Sequence, residues 1–240
     1  MNLSERFAAA AQWAADRTPD TSQLLPTVLL AACMEVFAVD GAGLSLTQDL
    51  RVPLGATSGH VACAESLQTT LGEGPCLSAS ALDQPLVADS DLLQARWPLF
   101  RRELVQQTPF RSVATVPLRL PEDRRRLGAV DLYSTDPGAG TLRDVDGDWS
   151  EIADLMTALL VSDPRSLLEP VEAGSAERSP SYHRRMDVWM AVGMVIGLTR
   201  MTNADALAVL RAHAFANGLS LDELAQSLIT GTIRTEAVVR

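Results

Sequence analysis

Lysine is absent from the 240-residue chain, so all 20 basic residues are arginine. This absence excludes mechanisms that need a Lys Schiff base or a P-loop Lys. Cysteine is also scarce, since the chain has only Cys33, Cys63 and Cys76. This odd number and the lack of a Cys-x-x-Cys pair favour a reducing compartment. The amino terminus lacks an apolar signal core, and the longest apolar stretch, Val188–Leu198, is shorter than the roughly 20 residues that span a bilayer. The sequence therefore predicts a cytoplasmic protein without a membrane segment.

The net charge of −10 is distributed unevenly along the chain. Residues 1–175 hold 13 Arg and 24 Asp or Glu, a charge of −11, whereas residues 176–240 hold 7 Arg and 6 acidic residues, a charge of +1. This balance argues against a protein that coats nucleic acid or an anionic membrane along its whole length. Three prolines and several serines in residues 163–181 indicate a linker. We therefore expect an N-terminal domain over residues 1–162 and a C-terminal domain over residues 182–240.

The N-terminal part combines helix and strand patterns. Apolar residues three or four positions apart predict five helices, at residues 3–15, 24–38, 61–71, 97–107 and 145–161. Alternating apolar residues predict four strands, at residues 41–47, 52–58, 112–120 and 127–133. The last two strands flank a polar turn and indicate a hairpin, while residues 72–76 are predicted as a tight loop. Helices around an antiparallel sheet make this an α+β domain.

The C-terminal part carries helix patterns alone. Its three predicted helices cover residues 184–198, 202–216 and 220–229. Asn217 and Gly218 form a helix stop signal, and Ser220 with Glu223 has the spacing of a capping box. We expect these helices to build a small all-α bundle.

Residues that suggest catalysis or metal binding are few. His60, Cys63 and Cys76 lack the fourth ligand that a zinc site requires. The Asp-rich stretch 144–148 lacks the Glu that closes a calcium loop, and Arg124–Arg126 is typical of a solvated hairpin turn. We therefore expect no metal, no cofactor and no enzymatic activity. A cysteine-dependent enzyme or redox sensor, with Cys76 as nucleophile and His60 as base, stays as an alternative.

Three segments of the C-terminal part resemble the ANTAR family of RNA-binding transcription antiterminators. They are Val188–Ile196, Ala204–Arg211 and Leu221–Ala225, and the match covers roughly residues 180–232. The resemblance implies a three-helix domain that, as a dimer, binds paired hairpins in a nascent transcript and prevents termination.

The resemblance assigns four residues to RNA binding. Arg185 and Arg211 would meet phosphate or a base, and the small residues Ala191 and Gly193 would let the helix approach hairpin loops closely. The alternative interpretation is that Ala191 and Gly193 allow close helix packing and that Arg211 lies on a solvated face.

Three segments of the N-terminal part resemble the GAF domain of actinobacterial GAF–ANTAR proteins. They are Gly72–Cys76, Ser112–Leu118 and Leu127–Tyr133, and the match covers most of residues 20–162. The resemblance implies a sensor domain. Cyclic-nucleotide-binding GAF domains carry a Lys that this chain lacks, so we expect no cyclic-nucleotide binding. The resemblance leaves open a small ligand of another, unidentified class.

The sequence thus predicts a dimeric regulator in which a GAF sensor controls an ANTAR output domain. The apolar stripe of helix 145–161 is a candidate dimer contact, with a helix packed inside its own domain as the alternative. Val192, Leu219 and Ser220 replace polar or basic residues of the ANTAR pattern, and Met190 replaces a common Gln. If Met190, Val192 and Leu219 form an exposed apolar patch, the output domain is a protein-interaction or dimerisation module instead.

Overall fold

A computed structural model of the chain describes residues 2–17, 25–47, 51–143, 149–162 and 180–239. Its strands are β1 (Gly41–Thr47), β2 (Arg51–Ala56), β3 (Leu86–Ala88), β4 (Ser112–Arg119) and β5 (Arg126–Ser134). The N-terminal helices are α1 (Leu3–Arg17), α2 (Leu25–Phe37), α3 (Gly59–Leu71), α4 (Pro75–Leu82), α5 (Ser90–Arg96), α6 (Pro98–Gln107), α7 (Gly140–Arg143) and α8 (Trp149–Ser162). The C-terminal helices are α9 (Pro180–Thr199), α10 (Asn203–Ala216), α11 (Leu221–Ile229) and α12 (Thr235–Val238).

The five strands form one antiparallel sheet in the order β2-β1-β5-β4-β3. The predicted hairpin is confirmed, since β4 pairs with β5 and Thr115 lies opposite Asp131. On the other side of β5, Asp131 lies opposite Gly43 of β1. The α+β class predicted from the sequence is therefore confirmed.

One face of the sheet packs against α1, α2 and α8. Side chains alternate along a strand, so Leu44, Val130 and Leu132 enter this core together. The apolar stripe of α8 is buried there as well, and the Trp149 ring stacks on Phe37 with centroids 4.7 Å apart. The stripe proposed as a dimer contact thus lies inside its own domain, which is the alternative that the sequence left open.

The opposite face of the sheet packs against α3, α4, α5 and α6. Phe100 and Leu104 of α6 are buried against Phe110 and Tyr133, whose rings stack with centroids 5.0 Å apart. Helix α3 begins at the Ser58 cap, whose side chain accepts a hydrogen bond from the Val61 amide. This helix lies over β1 and β2.

The tight loop predicted at residues 72–76 is shorter in the structure. Pro75 starts α4, because a proline fits the first helical turn, where its missing N–H is not needed. Cys76 consequently lies on a helix rather than on an exposed turn. The sequence patterns also missed β3, α5, α7 and α12, which are all seven residues or shorter.

The C-terminal helices form a bundle with its own apolar core. All three predicted helices are confirmed, including the capping box in which Ser220 and Glu223 bond each other's backbone amides. Helix α9 begins at Pro180, inside the predicted linker, whose residues 163–179 lie outside the described residues. The acidic stretch 144–148 lies outside them as well. No helix in the described ranges is both long and apolar enough to cross a bilayer.

Candidate functional site

A buried charged cluster lies between α3 and the sheet. The Nη2 atom of Arg51 lies 2.6 Å from Oε2 of Glu65 and 2.8 Å from Oδ2 of Asp131, and it also donates to Oγ of Ser45 at 2.9 Å. All four side chains are buried. They come from β1, β2, α3 and β5, so this cluster joins the sheet to the helix above it.

Hydrogen bonds extend the cluster towards α4. Gln68 donates from Nε2 to Oδ2 of Asp131 at 2.9 Å and to the Tyr133 hydroxyl at 3.2 Å. The Tyr133 hydroxyl donates to Oε1 of Glu65 at 2.6 Å, and the Cys76 amide donates to Oε1 of Gln68 at 3.0 Å. The side chains thus contact one another directly across the space between α3 and β5.

The cluster holds one guanidinium against two carboxylates. Burial raises the pKa of the Glu65 carboxyl above its ordinary value, and the adjacent charge of Asp131 raises it further, whereas Arg51 opposes the shift. Gly43 provides the room, because a Cβ atom there would lie 2.8 Å from the Glu65 carboxyl carbon. A buried trio with a single cation favours the state in which one carboxyl carries a proton.

Sequence reasoning missed this cluster. The sequence does carry a signal, which is a carboxylate at a position where the pattern predicts an apolar core residue. Asp131 lies between Val130 and Leu132 on a buried strand, and Glu65 lies on the inner face of an amphipathic helix. Charged residues are almost never fully buried unless they are paired. Such positions therefore indicate buried partners, although they do not identify them.

The cysteines are placed for packing. Burial raises the pKa of the Cys76 thiol well above its ordinary range, so the thiolate needed for nucleophilic attack is disfavoured. Cys63 is half-buried and its thiol donates to Oε1 of Gln107 at 3.4 Å, while His60 is exposed. Within the described ranges, no group of three His, Cys, Asp or Glu side chains is arranged to hold a metal ion.

The end of α3 also contacts the C-terminal bundle. Arg211 of α10 donates from Nε to the carbonyl oxygen of Thr69 at 3.0 Å, and the Leu221 amide at the start of α11 donates to Oγ1 of Thr70 at 3.0 Å. Gly72 makes room for the arginine, since a Cβ atom there would lie 2.9 Å from the guanidinium. The guanidinium of Arg102 lies 5.9 Å from the ring centre of Phe215.

The four residues assigned to RNA binding occupy different environments. Ala191 is buried in the bundle core, whereas Gly193 on the same helix faces open space. Arg211 is half-buried against the N-terminal domain, and its desolvation lowers the pKa of its guanidinium. The side chain of Arg185 lies outside the described residues, although its backbone belongs to α9.

The outward side of α9 carries an apolar stripe. Its five large side chains are each between 36% and 48% exposed, and they are Met186, Trp189, Met190, Met194 and Leu198. Val192 does not contribute to this stripe, because it is buried in the bundle, and Leu219 is half-buried near the N-terminal domain. We call this set the α9 stripe.

The N-terminal fold has a family assignment. The GAF domain family model matches residues 20–160, which contain the whole sheet and the buried charged cluster. The chain belongs to the GAF domain family. The predicted GAF domain is therefore confirmed, and the cluster of Arg51, Glu65 and Asp131 fills the interior between α3 of this GAF domain and its sheet.

Solved structures resemble the GAF domain at low sequence identity. The GAF domain of a phosphoenolpyruvate-protein phosphotransferase from Coxiella burnetii is 17% identical, with a TM-score of 0.47, over 68% of this chain and 94% of that chain. A free methionine-R-sulfoxide reductase from Neisseria meningitidis in complex with its substrate is 19% identical, with a TM-score of 0.42, over 67% of this chain and 90% of that chain. No curated protein matches the chain.

Proposed function

We propose that this protein is a non-enzymatic cytoplasmic regulator in which the GAF domain controls an ANTAR output domain. The output is the binding of hairpin RNA in a nascent transcript, which prevents termination. The observation that carries the proposal is the hydrogen bond from Arg211 to the Thr69 carbonyl oxygen. One residue is both the RNA contact implied by the ANTAR resemblance and the link to the GAF domain.

The contact between Arg211 and Thr69 suggests how the GAF domain would control RNA binding. While Arg211 is half-buried against α3, its Nε atom is bonded to the Thr69 carbonyl oxygen and is not free to meet a phosphate. Arg–phosphate pairs are frequently bidentate and join two full charges, whereas the Thr69 carbonyl accepts one bond from Nε, so RNA can compete with it. A signal that weakens the contact between α3 and the bundle would favour RNA binding.

The RNA proposal is tested with a labelled RNA that carries two adjacent hairpins. Binding to the full chain is measured by fluorescence anisotropy between 50 and 200 mM salt. Arg185→Ala is expected to weaken binding and to reduce the salt slope by about one if that residue meets a phosphate. Arg124→Ala, in the exposed β4–β5 turn of the GAF domain, removes the same charge and is expected to leave binding unchanged. No detectable binding at low salt to any transcript with two adjacent hairpins would overturn the proposal.

The α9 stripe favours a second candidate, in which the output domain is a dimerisation module. Monomeric proteins rarely expose contiguous large apolar surfaces of this kind. Gly193 and Gly197 lie on the same helix with open space around them, which would let a second helix approach. Met190→Gln is expected to shift a dimer towards monomer in sedimentation measurements. Leu82→Gln, at an isolated exposed leucine of α4, is its control, and equal behaviour of the two variants contradicts this candidate.

A further inference from the structure

A cavity of 550 Å³ lies between the GAF domain and the helical bundle. We call it the interdomain cavity. It is lined by α3 and α6 on one side and by α10, α11 and the turn between them on the other, through Cys63, Ser66, Leu67, Thr70, Leu71, Glu103, Gln107, Phe215, Gly218, Leu219, Ser220 and Glu223. Its volume falls in the range of about 300–1,000 Å³ that small-molecule sites occupy.

The lining carries negative charge and lacks positive charge. Glu103 and Glu223 are its only ionisable carboxylates, and no Arg or His lies among the lining residues. Arg102 pairs with Glu103 at 2.9 Å and neutralises that carboxylate. Glu223 has no cationic partner among the described residues, because its Oε2 atom accepts hydrogen bonds only from Ser220 of its own capping box.

The amino terminus of α11 does not make the electrostatic potential of the cavity positive. A helix amino terminus contributes roughly half a unit of positive charge. Glu223 lies in the first turn of α11, and its full negative charge exceeds this contribution. An anionic ligand, such as a nucleotide, would therefore find no cationic side chain among the lining residues.

The remaining walls combine the polar side chains of Ser66, Thr70, Gln107 and Ser220 with an apolar patch. Phe215 presents a half-buried ring, and Leu67, Leu71 and Leu219 surround it from α3 and from the turn before α11. An aromatic ring attracts both apolar groups and cations. An ammonium head suits Glu223, and a short apolar body suits the patch around Phe215.

We propose that the interdomain cavity binds a small amphipathic amine, with its ammonium at Glu223 and its apolar body against Phe215. Both domains contribute to the cavity, so the ligand stabilises their docked arrangement. This proposal does not depend on RNA binding, because it rests on the cavity and its charge alone.

The test uses the full chain and three probes of matched size. Tyramine carries an ammonium, p-cresol is its neutral counterpart and 4-hydroxyphenylacetate is its anionic counterpart. Isothermal titration calorimetry at low salt is expected to detect tyramine binding, weaker binding of p-cresol and none of the anion. Tyramine is also expected to raise the thermal midpoint, since it binds the folded state.

Two variants locate the site. Glu223→Gln removes the charge but preserves the capping box, in which Gln replaces Glu well. It is expected to weaken tyramine binding about twofold to fivefold and to lower the thermal midpoint without ligand only slightly, because one charge at the helix amino terminus is lost. Glu122→Gln, in the exposed β4–β5 turn, removes one negative charge elsewhere and is expected to bind tyramine like the parent protein.

Three results would overturn the proposal. They are the absence of tyramine binding to the parent protein, equal affinity for tyramine and p-cresol, and unchanged affinity of the Glu223→Gln variant. None of these results bears on hairpin RNA binding, so the two proposals fail separately.

Discussion

The Nε atom of Arg211 lies 3.0 Å from the carbonyl oxygen of Thr69, and this hydrogen bond joins the helical bundle to the GAF domain. The carbonyl lies in the last turn of α3, where helix carbonyls lack intrahelical partners and the helix dipole is negative. A guanidinium suits such a position because it donates in a fixed planar geometry. A helix terminus of the GAF domain thus holds a residue of the helical bundle.

Removal of the guanidinium is expected to affect both domains. Arg211→Ala should weaken hairpin RNA binding and should also increase amide hydrogen exchange in the last turn of α3, because the contact with Thr69 is lost. Arg200→Ala removes the same charge from an exposed position in the bundle and is the control. Unchanged exchange in α3 would show that Arg211 does not hold the domains together.

The hydroxyl of Thr70 offers a way to loosen the domains without touching Arg211. Thr70→Val leaves the Leu221 amide without its partner, which costs about 1–3 kcal/mol for a buried donor. We expect faster exchange at the start of α11 and tighter RNA binding, because the docked state is weakened. Thr70→Ser keeps the hydroxyl and should behave like the parent protein. Faster exchange with weaker RNA binding would contradict control by docking.

Alanine substitutions at Gly72 and Gly231 distinguish the cost of backbone strain from the cost of a lost contact between the domains. Gly72 and Gly231 both have positive φ angles, of 69° and 74°, so alanine at either position costs on the order of 1–2 kcal/mol. Only at Gly72 would the new methyl group also displace the Arg211 guanidinium. We expect Gly72→Ala to lower the free energy of unfolding by more than Gly231→Ala does, as measured by denaturant titration. In an Arg211→Ala background this difference should disappear.

The charged cluster predicts a pH dependence of stability. Burial raises the pKa of Glu65 to about 8, above its value of about 4.3 in an unfolded chain. The folded state therefore binds this proton more tightly, so the stabilisation is fully present below the unfolded pKa and is lost as the pH rises through the folded pKa. We expect the free energy of unfolding to fall between pH 5 and pH 9. Glu65→Gln, which mimics the protonated carboxyl, should flatten this decline, and an equally steep profile would refute the assignment.

The sequence predicted the fold well where local patterns determine it. The β4–β5 hairpin followed from alternation on both sides of an Arg-rich turn, and α11 followed from the capping box of Ser220 and Glu223. Helix α4 was missed because Gly74 and Pro75 are turn signals as well as helix-start signals. The short β3 carries too few residues to show a period.

The candidate sites were less predictable, because they depend on residues far apart in the chain. Arg51 and Asp131 are 80 positions apart, and only the pairing of β1 with both β2 and β5 brings them together. The contact between Arg211 and Thr69 spans 142 positions and depends on how the bundle docks. Sequence spacing carries no information on such docking.

Helix α3 faces two partners, since Glu65 and Gln68 point into the sheet while Thr69 and Thr70 meet the bundle. A fragment that ends at Ser162 would keep the first set of contacts and expose the second to water. The isolated GAF domain would lack half of the interdomain cavity. Ligand screens and truncation experiments on that fragment would therefore report on a surface that the full chain covers.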